Sequence, residues 1–586
     1  MSGNRRTGNR RRTDTISRRW RGVAVLAGFV LGGLALEGRV LYLQLVDQDF
    51  LVAQGDNRYL RTVQISAHRG PITDRNGEPL AVSTPVDSIW ANPQELKPAL
   101  DRLDELAVAL GSSPECASHG VDADWLARRV TSNMDREFVY LCRDLQPAKA
   151  ADVLSLDLPG VHALREYRRY YPAGEVTGHV LGFTDVDDGG QEGLELEFDY
   201  WLKGEPGSKR VLQDRLGRVV GDVELIKEPR PGRALRTSID LRLQYLAYRE
   251  LKVAVAENRA RSGSLVMLDP ATGEVLAMVN QPSFNPNDRS QLKVANYRNR
   301  AATDIFEPGS SFKPFSLSAA LEAGLYTPSS IIDTSPGYIK IGRTVVKEEH
   351  SDLGAISLTT ILAKSSNVGA AKVALEMKPD YLWRIFSDFG IGRLTESGFP
   401  GESAGVLHDP GYWHPVEQAT MAYGYGLSVT TLQLARAYAA LAAGGLLRPV
   451  SFLAVDRAPE GRRVVSEETA AAMLHMMEAV VSPEGTGERA EVANYRIAGK
   501  TGTAWKASAG GYSKDRYTSV FAGVAPASHP RLVAVVVIDE PQGKYYGGDV
   551  SAPVFARVMA GALRLLAVPP DALPQPPLTV VAQDFR

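Results

Sequence analysis

Three short patterns contain residue types that together can attack and transfer an acyl group. A serine hydroxyl is a weak nucleophile that needs a neighbouring base, and none of the nine histidines suggests itself for that role. A lysine three residues after a serine can serve instead, because residues three apart share one face of a helix. The patterns are Ser310-Ser311-Phe312-Lys313, Ser365-Ser366-Asn367 and Lys500-Thr501-Gly502-Thr503.

Sequence context distinguishes the Ser310 pattern from a chance match. A second Ser-x-x-Lys occurs at residues 290–293, in a polar and Asn-rich stretch, and a second Ser-x-Asn occurs at residues 283–285. Ser310 instead follows Glu307-Pro308-Gly309 and precedes a helical pattern from Phe315 to Leu325. We therefore expect Ser310 to lie where a helix begins.

The predicted base, Lys313, must be uncharged before it can accept a proton. A free lysine has a pKa of about 10.4, so roughly one molecule in 2,500 is neutral at pH 7. Lowering that pKa by about 3 units requires roughly 4 kcal/mol, which burial can supply. A second cation, Lys500, acts in the same direction. The sequence therefore predicts a serine that works only inside a desolvated cleft.

The second pattern supplies a hydroxyl and an amide to the predicted site. Ser365 can relay a proton toward a leaving group. Asn367 can hold both Lys313 and a substrate amide. The implied reaction is acyl transfer through an acyl-serine.

The third pattern is expected to bind the substrate. Gly502 lets an extended peptide approach its strand and add to it as a further strand. Lys500 and the hydroxyls of Thr501 and Thr503 can bind a terminal carboxylate. The backbone N–H groups of Ser310 and Thr503 are candidates for stabilising the oxyanion.

Several other functions are excluded by composition and motif. The histidines show no metal-ligand spacing. Gly499-Lys500-Thr501 resembles the end of a phosphate-binding loop, but Asn494 stands where the leading glycine is required. Lys plus Arg (66) balances Asp plus Glu (68), which does not favour nucleic-acid binding. We therefore expect no metal, cofactor or nucleic-acid partner.

The elements that must position these residues predict an α+β domain. A hairpin is predicted from residues 264–268 and 274–279 around an Asp-Pro-Ala-Thr-Gly turn. Further strands are predicted at residues 496–504, 517–524 and 532–538, and a closing helix at 554–566. Strands at both ends of a helical middle indicate one sheet assembled from distant segments.

The N-terminus predicts a membrane anchor. Residues 22–46 carry only two charges, Glu37 and Arg39, and are long enough to span a bilayer. Eight arginines lie in residues 1–21, so the positive-inside rule predicts a cytoplasmic tail and an exported body. A cleaved signal peptide is the alternative, since Gly33-Leu34-Ala35 fits a cleavage site. Apolar sequence continues at residues 40–43, which favours an uncleaved anchor.

The region from residue 47 to residue 230 is predicted to be a separate domain. A strand entering an Asn-Gly turn is predicted at residues 69–77, and residues 97–160 show apolar positions at helical spacing. The Pro/Gly break at residues 229–232 marks the boundary. The two cysteines, Cys116 and Cys142, form a disulfide or remain as two buried thiols. Residues 569–586 are a Pro-rich tail.

Taken together, these patterns closely resemble those of class B penicillin-binding proteins, and within them the division-specific D,D-transpeptidases of Gram-negative bacteria. The resemblance runs from the anchor to about Val568. Besides the three patterns it rests on the stretches at residues 69–77, 169–176, 298–300, 422–426 and 544–548.

The resemblance implies an elongated pedestal at residues 47–230 and a penicillin-binding transpeptidase domain, similar to β-lactamases, at residues 231–568. It implies a peptidoglycan D,D-transpeptidase that cross-links stem peptides at the septum and is acylated by β-lactams at Ser310. Tyr425, Tyr545 and Tyr546 would line the substrate pocket, the alternative being that they pack in the core. The implied location is the inner membrane, and the implied partners are the SEDS glycosyltransferase FtsW and other division proteins.

Two departures from the family pattern bear on substrate and drug preference. Trp505 stands where relatives usually have a basic or polar residue, and Lys347-Glu348-Glu349-His350 replaces a stretch that usually carries one Asp. The chain is thus either the main division enzyme or a specialised paralogue. A β-lactamase or D,D-carboxypeptidase, and a non-enzymatic scaffold, are the competing functions.

Overall fold

The N-terminal apolar segment is a single long helix. A computed structural model describes residues 14–117, 120–213, 219–288, 290, 292–349, 352–508 and 511–573. Helix α1 (Asp14–Leu45) is followed by α2 (Gln48–Tyr59). The segment Arg19–Leu45 has a mean hydropathy of 1.7 and exposes its apolar side chains, as a single membrane-spanning helix would. Most of the predicted Arg-rich tail, residues 1–13, lies outside the described residues.

The region that follows α2, up to residue 236, is built from strands with short helices between them. The strands are β1 (Leu60–Ile65), β2 (Ile72–Thr73), β3 (Pro79–Ala91), β4 (Val139–Leu145), β5 (Val161–Tyr170), β6 (Gly207–Gln213), β7 (Val219–Lys227) and β8 (Leu235–Arg236). The helices are α3 (Pro93–Leu96), α4 (Leu103–Gly111), α5 (Pro114–Ala117), α6 (Ala123–Thr131), α7 (Pro147–Leu154), α8 (Gly178–Leu181), α9 (Gly193–Glu197) and α10 (Asp199–Leu202).

Two sheets organise this region. Strands β1, β6 and β7 form a three-stranded antiparallel sheet directly after the anchor. The long strand β3 pairs antiparallel with β4 and β5, and α4, α6 and α7 cover one face around a core of their own. The two cysteines form a disulfide in this lobe, between Cys116 on α5 and Cys142 on β4.

The strand β4 corrects the helical expectation for residues 97–160. Helices do form at the predicted apolar spacing, including Leu103, Leu106 and Leu110 on one buried face of α4. Residues 139–145 instead pair with β3, and buried Val139 and Leu141 flank the less buried Tyr140. Their period of two, typical of a strand, was hidden within the surrounding helical pattern.

The C-terminal region contributes the second set of elements. Its strands are β9 (Ser262–Leu268), β10 (Val275–Gln281), β11 (Ile331–Asp333), β12 (Tyr338–Ile341), β13 (Thr344–Lys347), β14 (Ala355–Ser357), β15 (Leu446–Leu447), β16 (Arg462–Arg463), β17 (Ala498–Ser508), β18 (Gly511–Ala525) and β19 (Leu532–Asp539). Its helices are α11 (Leu241–Glu257), α12 (Val294–Tyr297), α13 (Arg300–Thr303), α14 (Lys313–Glu322), α15 (Leu358–Ala363), α16 (Asn367–Leu375), α17 (Pro379–Asp388), α18 (Pro415–Met421), α19 (Thr431–Ala442), α20 (Glu467–Val481), α21 (Gly547–Val550) and α22 (Ala552–Leu565).

A five-stranded sheet in the order β10-β9-β19-β18-β17 lies at the centre of this region, and all neighbours are antiparallel. The sheet is buried on both faces, so β9 is apolar throughout its second half. Val266 and Leu268 face a core that includes α14, α19 and α20, whereas Leu265 and Met267 face α11 and α22.

The α+β architecture predicted from sequence is confirmed. The predicted hairpin is β9–β10, the three later strands are β17, β18 and β19, and the closing helix is α22. The boundary at residues 230–231 remains a prediction. Because β8 pairs in parallel with β2, the chain contributes one more strand to the pedestal sheet after the Pro/Gly break.

Candidate active site

The predicted nucleophile lies on a tight turn that leads into α14. A 3₁₀ turn at Gly309–Phe312 runs directly into the helix, whose first turn contains Pro314. Lys313 is the first residue of α14, and its amine lies 2.9 Å from the Ser310 hydroxyl oxygen. The Lys313 side chain is completely buried.

The second pattern lies where two helices meet. After α15 ends, Ser365 adopts a left-handed backbone conformation with φ of 60°. Ser366 then caps α16 by accepting a hydrogen bond from the Gly369 N–H at 2.8 Å. This turn presents the Ser365 carbonyl and the Asn367 side-chain oxygen to the Lys313 amine, at 2.5 Å and 2.8 Å.

The third pattern lies on the edge strand β17. The Lys500 amine donates to the Ser365 hydroxyl at 3.1 Å and to the Thr501 carbonyl at 3.1 Å. The same Ser365 hydroxyl lies 3.1 Å from the Lys313 amine. The structure therefore brings Ser310, Lys313, Ser365, Asn367 and Lys500 into one cluster, with the Ser365 hydroxyl between the two amines.

Burial lowers the pKa of both lysines. Desolvation lowers the pKa of Lys313 to about 7, against the opposing effect of two nearby carboxylates, Glu348 and Glu349. Desolvation, and next the positive charge of Lys313, lower the pKa of Lys500 well below its ordinary value. Lys313 is therefore poised to exist in its neutral form near pH 7.

The contacts of Lys313 suit a neutral amine. A neutral amine has two N–H groups and one lone pair, and the Ser365 carbonyl and the Asn367 Oδ1 can accept both hydrogens. The lone pair is then left for the hydroxyl proton of Ser310. This geometry allows Lys313 to accept the Ser310 proton.

Glycine at position 502 has a packing role in the fold, and its contact with a substrate remains a prediction. A Cβ atom at Gly502 would lie 2.6 Å from the Pro308 carbonyl oxygen and 3.1 Å from the Ser311 side chain. On the other side of the turn, a Cβ at Gly424 would lie 2.2 Å from the Gly309 carbonyl oxygen. Gly502 therefore allows the nucleophile turn, rather than only a substrate, to approach the strand closely.

The predicted binding residues lie on two sides of the cluster. The Thr503 hydroxyl accepts a hydrogen bond from the Gly547 N–H at 3.0 Å, which places the segment with Tyr545 and Tyr546 against β17. Tyr545 stacks on Tyr517 with centroids 4.1 Å apart, and Tyr546 is 36% exposed. Thr501 is buried, and its hydroxyl lies 3.2 Å from the Lys500 amine.

Tyr425 contacts protein on several sides. Its hydroxyl accepts a hydrogen bond from the Trp505 backbone N–H at 3.2 Å, and its ring packs edge-on against Tyr423 and Tyr512. Burial raises the pKa of Tyr425 to about 12, so it remains a neutral hydroxyl. Tyr425 therefore joins its loop to the β17–β18 hairpin beside the cluster.

Two carboxylates near the cluster were not assigned roles from the sequence. Glu348 accepts hydrogen bonds from the Ser366 hydroxyl at 2.5 Å and the Asn367 N–H at 2.9 Å. Glu307 accepts hydrogen bonds from the Gly426 N–H at 2.7 Å and the Tyr512 hydroxyl at 2.9 Å. Both residues stand within or beside stretches that the sequence singles out, but only the fold shows their contacts.

Family models match both parts of the chain. Residues 263–560 match the penicillin binding protein transpeptidase domain, and residues 64–237 match the penicillin-binding protein dimerisation domain. These two ranges correspond to the region of the five-stranded sheet and to the region after the anchor.

Known proteins resemble the chain over most of its length. It is 47% identical over 561 residues to the peptidoglycan D,D-transpeptidase FtsI of Escherichia coli K12. The alignment covers 94% of this chain and 93% of that protein. It is 43% identical over 562 residues to the probable peptidoglycan D,D-transpeptidase PbpC of Pseudomonas aeruginosa, covering 96% and 98%.

A solved structure matches the C-terminal region. The transpeptidase domain of penicillin-binding protein 3 from Burkholderia pseudomallei superposes with a TM-score of 0.54 and 42% identity, over 58% of this chain and 98% of that one. Together, the two family models, the two relatives and the buried serine–lysine cluster show that the chain belongs to the penicillin-binding proteins, with a dimerisation domain followed by a transpeptidase domain.

Proposed function

We propose that the chain is a peptidoglycan D,D-transpeptidase in which Ser310 forms the acyl-enzyme and Lys313 is its base. The observation that supports this assignment best is the short contact between the buried Lys313 amine and the Ser310 hydroxyl, 2.9 Å, with Ser365 and Asn367 holding the amine. The names of the relatives support the same substrate class.

The acylation step uses the cluster as follows. The neutral Lys313 amine takes the proton of Ser310, and the Ser310 oxygen attacks the penultimate D-Ala carbonyl of a stem peptide. When the peptide bond breaks, the terminal D-Ala leaves as an amine that needs a proton. The Ser365 hydroxyl, which contacts both lysine amines, passes that proton from Lys313 to the leaving amine.

The second step transfers the acyl group to an amine of a neighbouring stem peptide. That amine attacks the acyl-serine carbonyl and loses a proton to Lys313 through the Ser365 hydroxyl. The ester bond to Ser310 then breaks, and Lys313 returns the proton to the Ser310 oxygen. The backbone N–H groups of Ser310 and Thr503 stabilise the oxyanion in both steps. Water attacking in place of the amine would give a D,D-carboxypeptidase, the competing hydrolytic function.

Substrate binding involves the edge strand and the residues beside it. Thr501, Thr503 and Lys500 bind the terminal carboxylate, with Gly502 between them in the strand. A bound carboxylate would raise the pKa of Lys500 again, because an opposite charge nearby favours the ammonium form. Tyr425, Tyr545 and Tyr546 line the cleft around the peptide.

The chain acts at the outer face of the inner membrane. The apolar helix α1 anchors it once, the arginines of residues 1–21 keep the tail in the cytoplasm, and the remainder lies in the periplasm. Residues 47–230 form the pedestal and residues 231–568 the catalytic domain. FtsW and other division proteins are its partners at the septum, and β-lactams inhibit it by acylating Ser310.

Mass spectrometry after penicillin treatment tests this function. We expect one equivalent of penicillin on the peptide that contains Ser310, retained for hours, and no label in the Ser310→Ala variant. Rapid loss of the label would indicate a hydrolytic enzyme, and absence of labelling would indicate a scaffold. A label on any other residue would refute the assignment of Ser310.

A further inference from the structure

The Glu348 carboxylate forms hydrogen bonds with the residues at the start of α16. Its two oxygens accept hydrogen bonds from the Ser366 hydroxyl and from the backbone N–H of Asn367. The first backbone N–H groups of a helix have no partner within the helix, and a carboxylate there also interacts favourably with the helix dipole. Glu348 therefore fixes the turn that carries two of the predicted catalytic residues.

Glu348 is itself held in place by its strand. Its backbone N–H donates to the Gly337 carbonyl at 2.9 Å, and Val346, two residues earlier on β13, is buried against Ala371 of α16. The backbone carbonyl of the adjacent Lys347 lies 3.4 Å from the Asn367 side-chain nitrogen. That contact orients the Asn367 amide so that its oxygen points to Lys313, at 2.8 Å.

The charged and titratable groups around Lys313 come from several elements. Glu348 and Glu349 follow β13, Lys500 lies on β17, and the Tyr423 ring centroid lies 6.0 Å from the Lys313 amine. The two glutamates differ in contacts. Glu348 bonds to Ser366 and Asn367, whereas Glu349 is exposed and acts on Lys313 through charge alone.

We propose that Glu348 is a positioning residue for acylation: it fixes the Ser366–Asn367 turn, and through Asn367 it holds the Lys313 amine against Ser310. This inference rests on the function proposed above. It assigns different roles to two adjacent glutamates. Glu348 acts through both its geometry and its charge, whereas Glu349 acts through its charge only.

The test measures the rate constant of acylation by a fluorescent penicillin from pH 5 to pH 9, in the full chain solubilised in detergent. Loss of either negative charge lowers the pKa of Lys313, so the pH at which the rate reaches half its plateau shifts to lower pH. Glu348→Ala and Glu348→Gln also lower the plateau, by at least tenfold for the alanine. Glu348→Asp keeps the charge and recovers part of the plateau.

Glu349→Gln is the matched control, since it removes the same charge one residue away. We expect it to shift the half-plateau pH in the same direction and to keep the plateau rate. If circular dichroism shows that the alanine variant does not fold, the comparison of the isosteric variants Glu348→Gln and Glu349→Gln tests the positioning role.

Equal plateau rates in both glutamine variants and the wild type would refute the positioning role. A lower plateau in Glu348→Gln with an unchanged half-plateau pH would indicate a structural role only and would equally refute it. A separate variant, Lys313→Ala, tests the proposed base. Full acylation of that variant would overturn the proposed function, whereas normal Glu348 variants with an inactive Lys313→Ala would overturn this inference alone.

Discussion

At the scale of single residues, the main feature is a pair of buried amines that share one hydroxyl. Lys313 and Lys500 are both completely buried, and each lies 3.1 Å from the Ser365 oxygen. Two ammonium groups so close together in a desolvated site repel each other, so at least one is favoured as the neutral amine. The site thereby maintains a base near neutral pH without a histidine.

The acylation rate should rise with pH through the pKa of Lys313, about 7. The rate rises with pH, rather than falling, because only the neutral Lys313 amine can accept the Ser310 proton. Below the pKa, the protonated fraction of Lys313 grows. Stopped-flow measurement with a fluorescent penicillin from pH 5 to pH 9 should give a half-maximal rate near pH 7. Lys313→Ala should be at least 1,000-fold slower throughout. A rate independent of pH between 5 and 8 would contradict the role of Lys313.

Ser365→Ala should slow acylation by about 100-fold or more, because general acid–base groups typically contribute 10²–10⁴-fold. The variant removes the hydroxyl that contacts both amines. Lys364→Ala is the control, since the neighbouring Lys364 side chain points away and donates to the Glu484 carbonyl at 2.7 Å. The same stopped-flow assay measures both, and equal rates in the two variants would refute the proton relay.

At the scale of elements, the nucleophile turn is held between a strand and a loop by glycines. Gly502 and Gly424 each leave room for the backbone of Pro308–Gly309. Gly502→Ala should therefore displace the turn, and a displacement of about 1 Å at a catalytic group can cost about 100-fold in rate. We expect acylation to fall by that factor while circular dichroism stays unchanged.

Gly221→Ala is a suitable control for that substitution. Gly221 also lies in a strand, β7, and a Cβ built there meets no atom within 4 Å. The Gly221→Ala variant should be acylated at the rate of the wild type. Wild-type acylation by Gly502→Ala would show that the turn tolerates the added methyl group.

The disulfide stabilises one lobe of the pedestal. It closes a segment of 26 residues, for which chain entropy predicts about 3.5 kcal/mol of stabilisation. Replacing Cys116 and Cys142 with alanine should lower the unfolding temperature of this lobe in calorimetry. The acylation rate should not change, because Phe312 and Phe315, which follow Ser310, pack in a different core from the disulfide. Equal unfolding temperatures in both proteins would contradict the stabilising role.

Strands and helices were predictable from the sequence where a single hydrophobic period dominated the segment. The apolar strands β9, β10 and β19 and the helices α14 and α22 follow from their own residues, because strands and helices each have a characteristic period. The three motifs also contain the residues that the fold brings together in one cluster. What could not be predicted are contacts between residues far apart in the chain, such as Glu348 with Asn367 or Gly502 with Pro308, since these depend on how the elements pack.

At the scale of the whole molecule, the apolar helix α1 is separate from the core of the catalytic region. The apolar side chains of α1 are exposed rather than packed on the rest of the chain, for example Leu26, Phe29 and Leu31. Removing residues 1–46 should therefore yield a soluble protein with an unchanged acylation rate, whereas the full chain should sediment with membranes. Ultracentrifugation measures whether each protein sediments with membranes, and penicillin labelling measures its acylation rate. A truncated chain that still sediments with membranes would indicate a second attachment.

The central pairing of β9 with β19 joins residues 265 to 277 positions apart, from Leu268 with Val533 to Ser262 with Asp539, a long-range contact of the kind that forms slowly. At a synthesis rate of about 5–20 residues per second, roughly 13–55 s pass between the synthesis of these two strands. For most of that interval, from the synthesis of Ser310 until that of Ala498, the newly made chain contains the serine but not β17, the glycine-containing strand opposite it. A growing or prematurely ended polypeptide therefore cannot react, and the unpaired apolar strand needs protection until its neighbour arrives.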